Sequence, residues 1–253
     1  MPASWRSWAR TDPGSVRSNN EDNLVERPEI GLWMVADGAG GHEHGEVASQ
    51  MLADSLRRTR AEAGSDLIAQ VRSVVSQTHE TLRQRADEEA RASGTTVMIA
   101  STIVVLLAQG IHYAGLWAGD SRIYRLRRGQ LEQLTRDHSL VQALVDEGAI
   151  TPEEAERHPH ANVVTRAIGA DGADPSLDKF TGSAEPGDRF LLCSDGLNKA
   201  LDDNTIARFV AARDPARSLI EAALAVGARD NVTSVVVEYA PTDDDDDTLI
   251  RRP

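Results

Sequence analysis

Two apolar runs in this chain stop abruptly at an Asp-Gly pair: "IGLWMVADG", Ile30 to Gly38, and "DRFLLCSDG", Asp188 to Gly196. Runs this short and this continuously apolar read as strands buried on both faces. A carboxylate carried at the end of a buried strand loses hydration and needs compensation. A fold for this chain therefore has to bring charge to the ends of at least two core strands.

The rest of the chain supplies layers for such strands. Gly45 to Arg60 has apolar residues at Val47, Met51, Leu52 and Leu56, which is helical spacing. Leu67, Val71, Val74, Val75, Thr78 and Leu82 mark one face of a long helix to about Ala92. "MIASTIVVLLAQG", Met98 to Gly110, reads as one buried strand. "HYAGLWAG", "RIYRLRRG" and "LEQLT" follow closely, the last two joined by a hairpin turn at Arg128-Gly129. A short helix is predicted from Leu140 to Glu147, and Pro152 opens another. Asp202 or Asp203 caps a helix through Ala212, Pro215 opens one through Val226, and "NVTSVVVEY" is a final strand. Strands cluster and helices come in pairs. That pattern predicts an α+β fold with helices outside mainly antiparallel sheets.

Composition narrows the function. Of the 253 residues 40% are hydrophobic but only 4% aromatic, which predicts a mostly aliphatic core. The formal net charge of -13 argues against a nucleic-acid partner. The acidic stretch from Pro241, with Asp243 to Asp247, reads as a disordered tail. A lone cysteine, Cys193, excludes an internal disulfide. "MPASWRSWART" lacks the apolar centre of a signal peptide, and no run is long enough to span a membrane, so a cytoplasmic protein is expected.

Acidic residues recur beside glycine or asparagine at predicted strand ends: Asp37-Gly38, Gly119-Asp120, Asp195-Gly196 and Asp230-Asn231, with Glu21-Asp22 in "RSNNEDN". Each pair alone is an ordinary turn signal. Together, and delivered by apolar strands, they suit an oxygen-rich Mg2+ or Mn2+ site and in-line displacement at phosphorus. Rival motifs fail. A Walker loop needs Lys-Ser or Lys-Thr after its glycines, but this loop continues His42-Glu43-His44. Gly38, Gly40, Gly41 and Gly45 do not match a dinucleotide fingerprint, and no HExxH marks zinc. The position six after Cys193 is Lys199, where a cysteine phosphatase would carry arginine, so Cys193 reads as a core residue.

The stretches "RSNNEDN", "VADGAGGHEHGEVAS", "GDSRIYRL", "LTRDHS", "VVTRAIGA", "LLCSDGL" and "RDNVTSVVV" occur in this order. They resemble the bacterial metal-dependent protein serine/threonine phosphatases of type 2C, the PPM family, from about Thr11 to Glu238. The resemblance implies an α-β-β-α sandwich holding two Mn2+ or Mg2+ ions between its sheets. It implies Asp37 as the bridging ligand, the Gly38 carbonyl on the second ion, and Asp195 and Asp230 completing the first. Glu21 and Asp22 match acids acting through metal-bound water. Asp120, with Asp195, matches a third, weaker metal site. Arg17 matches the arginine that grips the substrate phosphate.

Two departures stand out. Ala39 replaces a residue that is methionine in many bacterial relatives and histidine in animal ones, which leaves His42 as the candidate general acid. "AST", Ala100 to Thr102, fits the family's core-strand motif by spacing, and "GTT" at Gly94 to Thr96 is a decoy. Leu140 to Asp171 matches the family's variable flap and includes His158 and His160. One phosphatase domain, residues 1–240, is thus expected, with a tail over 241–253. "HPHANVVTRAIGAD" and "LCSDGLNKAL" resemble the type VI secretion-associated subgroup, implying phosphoprotein substrates and an opposing serine/threonine kinase. A hydrolase of small phosphate esters and a catalytically silent interaction module of the same fold are the alternatives.

Overall fold

The computed structural model describes residues 4–39, 44–60, 66–170 and 176–240. In chain order the elements are β1 (Ser4–Asp12), β2 (Asp22–Arg27), β3 (Leu32–Ala39), α1 (His44–Arg57), α2 (Leu67–Ser93), β4 (Ala100–Ser101) and β5 (Ile103–Gln109). They continue with β6 (His112–Ala118), β7 (Arg122–Arg127), β8 (Gln130–Gln133), α3 (Leu140–Asp146), α4 (Pro152–Ala155) and β9 (Asp178–Ser183). The last are β10 (Arg189–Cys193), α5 (Asp195–Ala200), α6 (Asp203–Val210), α7 (Pro215–Ala225) and β11 (Val232–Ala240).

The strands form two antiparallel sheets, ordered β1-β11-β10-β7-β8 and β2-β3-β5-β6-β9, with β4 paired to β3. Alternation along β3 explains why both its faces are apolar. Leu32, Met34 and Ala36 pack with α1 and α2, while Trp33 and Val35 face the other sheet. On the far sheet Phe190 and Leu192 point inward, and Leu191 and Cys193 point out to Leu197, Ile206 and Leu219 of α5, α6 and α7. Three apolar layers therefore separate four layers of structure, helix on sheet on sheet on helix.

The α+β expectation holds, with several corrections. The aromatic residues are not spread thinly. Trp5, Trp33, Tyr113, Trp117, Phe180, Phe190 and Tyr239 gather between the sheets, although aliphatic side chains remain the majority there as in the outer layers. Ile30 closes a 3-10 turn, and Gly31 at φ 66° turns the chain into β3, which starts at Leu32. Met98 to Gly110 is not one strand: Thr102 divides β4 from β5. Asp195 does not end β10 but opens α5. The hairpin is as expected, with Arg128 at φ 51° and Gly129 at φ 80°. Gly94 caps α2 at φ 72°, which explains the decoy: its role is to stop a helix.

Candidate active site

β2 and β3 pair in a register that sets Asp22 directly opposite Asp37, so both side chains leave the same face of the sheet. Asp22 is 5% exposed. Its Oδ2 accepts hydrogen bonds from Ser194 Oγ and Thr233 Oγ1, each at 2.7 Å, both from the opposite sheet region. Its Oδ1 is buried without a partner. Burial pushes the Asp22 carboxyl up to about 7, against the pull of those two hydroxyls. Asp37 is driven well above the usual carboxylate range by burial, then by Asp22, Asp195, Asp120 and Asp230.

The Asp37 backbone is clamped by the strand break. Ser101 Oγ and Thr102 N donate to its carbonyl at 2.9 and 2.8 Å, and its own N–H donates to Thr102 Oγ1 at 3.3 Å. Thr102 Oγ1 also meets Ser121 Oγ at 2.7 Å, and Gly119 at φ 114° packs against Thr102. This contact fixes the turn between β6 and β7 that carries Asp120. Asp120 is 5% exposed and pushed up to about 7 by burial and Asp195, with Lys199 pulling it back. The Ala100–Thr102 stretch thus supports the site through the backbone, as its spacing predicts.

Packing requires glycine at position 38. A Cβ there would lie 2.2 Å from the carbonyl oxygen of Gly45. The missing side chain lets the first turn of α1 press onto the end of β3.

Asp230, before β11, is held by Arg17: Nη2 donates to Oδ2 and Nε lies against Oδ1, both at 3.0 Å. The Arg17 pKa is raised by this bonding and by the charge of Asp230. Glu21 is raised by burial and held back by Arg17. Asn231 organises this corner. Its Nδ2 donates to the carbonyls of Pro13 and Asn19 at 3.0 and 2.9 Å, and its Oδ1 accepts from Glu21 N at 2.8 Å. Gly196 packs on the Asn231 carbonyl, where a Cβ would fall at 2.1 Å.

Asp195 is paired with Lys199, one turn later on α5, and Lys199 Nζ also donates to Asn162 Oδ1 at 2.7 Å. Lys199 lines both a cavity of about 730 Å3, with Asp120, Asp195 and Asn162, and one of about 600 Å3, with Arg17 and Asp230. Burial opposes the lysine's charge, but Asp195, with Asp120 and Asp37 beyond it, outweighs this and raises its pKa.

The structure thus brings Asp37, Asp22, Asp120, Asp195, Asp230, Glu21 and Arg17 into one electrostatic neighbourhood. Ser194, Thr233, Asn231 and Lys199 join them from outside the expected set. Only Lys199 had a readable signal, its four-residue spacing from Asp195. His42 lies outside the described residues. His44 pairs with Glu89 at 2.9 Å, and His158 accepts the His160 amide, so neither turns to the acids. Cys193 is fully buried and pushed up to about 12 by burial, which removes it as a nucleophile.

Among the described residues, no three His, Cys, Asp or Glu side chains close around one point. The donor set nevertheless fits hard divalent cations. It is all oxygen, it is carried at strand ends, in turns and at the start of α5, and it leaves the buried Asp22 Oδ1 unpartnered. The charges of Arg17 and Lys199 reach Asp37, yet burial and the surrounding carboxylates still hold its pKa well above the usual range.

A four-layer sandwich with clustered carboxylates at one end of its inter-sheet space defines the type-2C class of phosphatases. The family described as protein phosphatase 2C matches residues 16–232, and the chain belongs to that family. It is similar to PppA of Pseudomonas aeruginosa, described as a key regulatory component of T6SS: 43% identity, TM-score 0.82, covering 93% of this chain and 98% of that one. It is similar to the catalytic domain of the serine/threonine phosphatase PstP in complex with two manganese ions: 37% identity, TM-score 0.81, covering 94% and 99%. Against full-length PstP of Mycobacterium tuberculosis it is 40% identical over 93% of its own residues but spans only 45% of that protein. Against PhpP of Streptococcus pneumoniae it is 35% identical over 92% of this chain and 97% of PhpP.

Proposed function

We propose that this chain hydrolyses phosphoserine and phosphothreonine in proteins, using two Mn2+ or Mg2+ ions. The observation that carries this reading is the pair Asp22 and Asp37, aligned across β2 and β3, with the buried Asp22 Oδ1 unpartnered. Asp37, the Gly38 carbonyl, Asp195 and Asp230 would hold the ions, and Glu21 and Asp22 would reach them through water. When bound, such ions supply Lewis acidity that makes a water nucleophilic near neutral pH. Arg17, already fastened to Asp230, offers its remaining N–H donors to phosphate oxygens. His42 donates the proton to the leaving serine or threonine oxygen. Asp22 and Asp37, pressed toward protonation without a cation, give the site a standing preference for positive charge.

Residues 1–240 act in this reading as one phosphatase domain, with a flap over 140–171 and the acidic tail outside it. The activity reverses a bacterial serine/threonine kinase in the cytoplasm. The likeness to PppA supports a type VI secretion setting. Among the described residues, no helix is long and apolar enough to cross a membrane.

The test is an assay of purified protein on a phosphothreonine peptide and on an aryl phosphate, with Mn2+ and then with excess chelator. Turnover of both is expected with metal, none after chelation, and none in Asp37→Ala. Activity that persists through chelation would refute the proposal. A marked preference for free phosphate esters over phosphopeptides would instead favour a small-molecule hydrolase.

A further inference from the structure

The resemblance to the family implies a third ion between Asp120 and Asp195, and the side chains there do not fit one. The Lys199 ammonium is already bonded to Oδ2 of Asp195. A second bond, to Asn162 Oδ1 at 2.7 Å, holds it from the flap side. Asp120 and Lys199 feel each other's charge directly, and both line the same cavity. A divalent cation placed there would have to displace the ammonium from Asp195 and then sit beside a like charge still held by Asn162. Lys199 is also carried on the same helix as Asp195, in the favourable order of acid first and lysine four later. It reaches the carboxylate without any loss of translational freedom, an advantage that a weakly bound ion lacks.

We propose that the Lys199 ammonium is a built-in cation occupying the place of the third metal, so that this chain holds two ions and not three. This rests on the dinuclear reading above. The ion pair uses Oδ2 of Asp195, so Oδ1 remains for a cation of the dinuclear pair. The substitution has a consequence for the flap. The contact from Asn162 to Asp195 runs through a covalently attached charge, so it persists whatever the supply of divalent ions.

The experiment counts bound Mn2+ on the full chain by native mass spectrometry and by calorimetry. Wild type and Asp120→Asn should each bind two ions. Lys199→Asp, which replaces the ammonium with a third carboxylate, should gain one further weak ion. Asp120→Asn in that background should remove it again. Folding of each variant is checked by circular dichroism. If Lys199→Asp fails to fold, the comparison of wild type with Asp120→Asn still decides. A third ion in wild type that disappears in Asp120→Asn overturns the proposal, as does a folded Lys199→Asp that still binds two. Wild type binding fewer than two ions overturns the dinuclear reading itself.

Discussion

Arg17 holds Asp230 with two parallel contacts of 3.0 Å, so the residue expected to grip phosphate is fastened to a residue expected to grip metal. The fork of the guanidinium matches a carboxylate in a way that an ammonium cannot. Arg17→Lys should therefore fail to rescue. Both Arg17→Ala and Arg17→Lys should lower kcat/KM on a phosphopeptide by about 10²-fold or more, the usual scale for losing one charge-stabilising donor. Steady-state kinetics at fixed Mn2+ check this. A loss below threefold for the lysine variant would show that the bidentate geometry is immaterial.

The pH dependence of the metal-free protein follows from Asp22 and Asp37. Both carboxyls have folded pKa values above their ordinary ones, about 7 for Asp22. The folded state therefore binds protons more tightly than the unfolded state between the ordinary carboxylate range and about 7. Stability contributed by these groups is fully present below that range and is lost as pH rises through it. With chelator present, the melting temperature should fall between pH 5 and pH 8, and Asp22→Asn should flatten the fall. Added Mn2+ should restore stability most at pH 8. A metal-free protein that gains stability across this range would contradict the assignment.

Thr233 Oγ1 donates to Asp22 from the opposite sheet at 2.7 Å. Thr233→Val keeps the shape of the side chain and removes the donor, leaving a buried carboxylate less satisfied. A loss of about 1–3 kcal/mol in urea unfolding is expected. Saturating Mn2+ should recover part of it. An unchanged midpoint would mean that the bond does not stabilise the fold.

Gly38→Ala places a methyl 2.2 Å from the Gly45 carbonyl oxygen, and backbone must move to admit it. Overpacking of this kind costs about 1–3 kcal/mol, and here it displaces the joint between β3 and α1. A lower melting temperature is expected in the metal-free protein as well as the loaded one. A defect confined to metal affinity would instead show that the close approach of Gly45 is not what requires glycine here.

The parts of this site that sequence exposes are those delivered by strong local patterns. Asp37 and Asp195 follow apolar runs, and Asp120 and Asp230 sit beside turn residues, so their places can be read directly. β1 escapes notice because "SWRSWARTD" has no clean alternation and draws its order from pairing with β11 at the far end of the described chain. β9 is similarly obscure, with only Phe180 and Gly182 partly buried among its six residues. Asn231 cannot be read as an organiser, since its partners are backbone carbonyls of Pro13 and Asn19, which any sequence would supply. Gly38 is recognisable as important, but its reason lies in the approach of another backbone.

Those long-range ties also set an order of events during synthesis. Arg17 and Asp22 meet their partners Asp230 and Thr233 only across 213 and 211 positions of chain. A polypeptide made as far as Arg229 already contains Asp37, Asp120 and Asp195, yet lacks the residues that fix the loop bearing Arg17 and Glu21. In the proposed reading, a fragment ending at Arg229 is therefore expected to lack phosphatase activity.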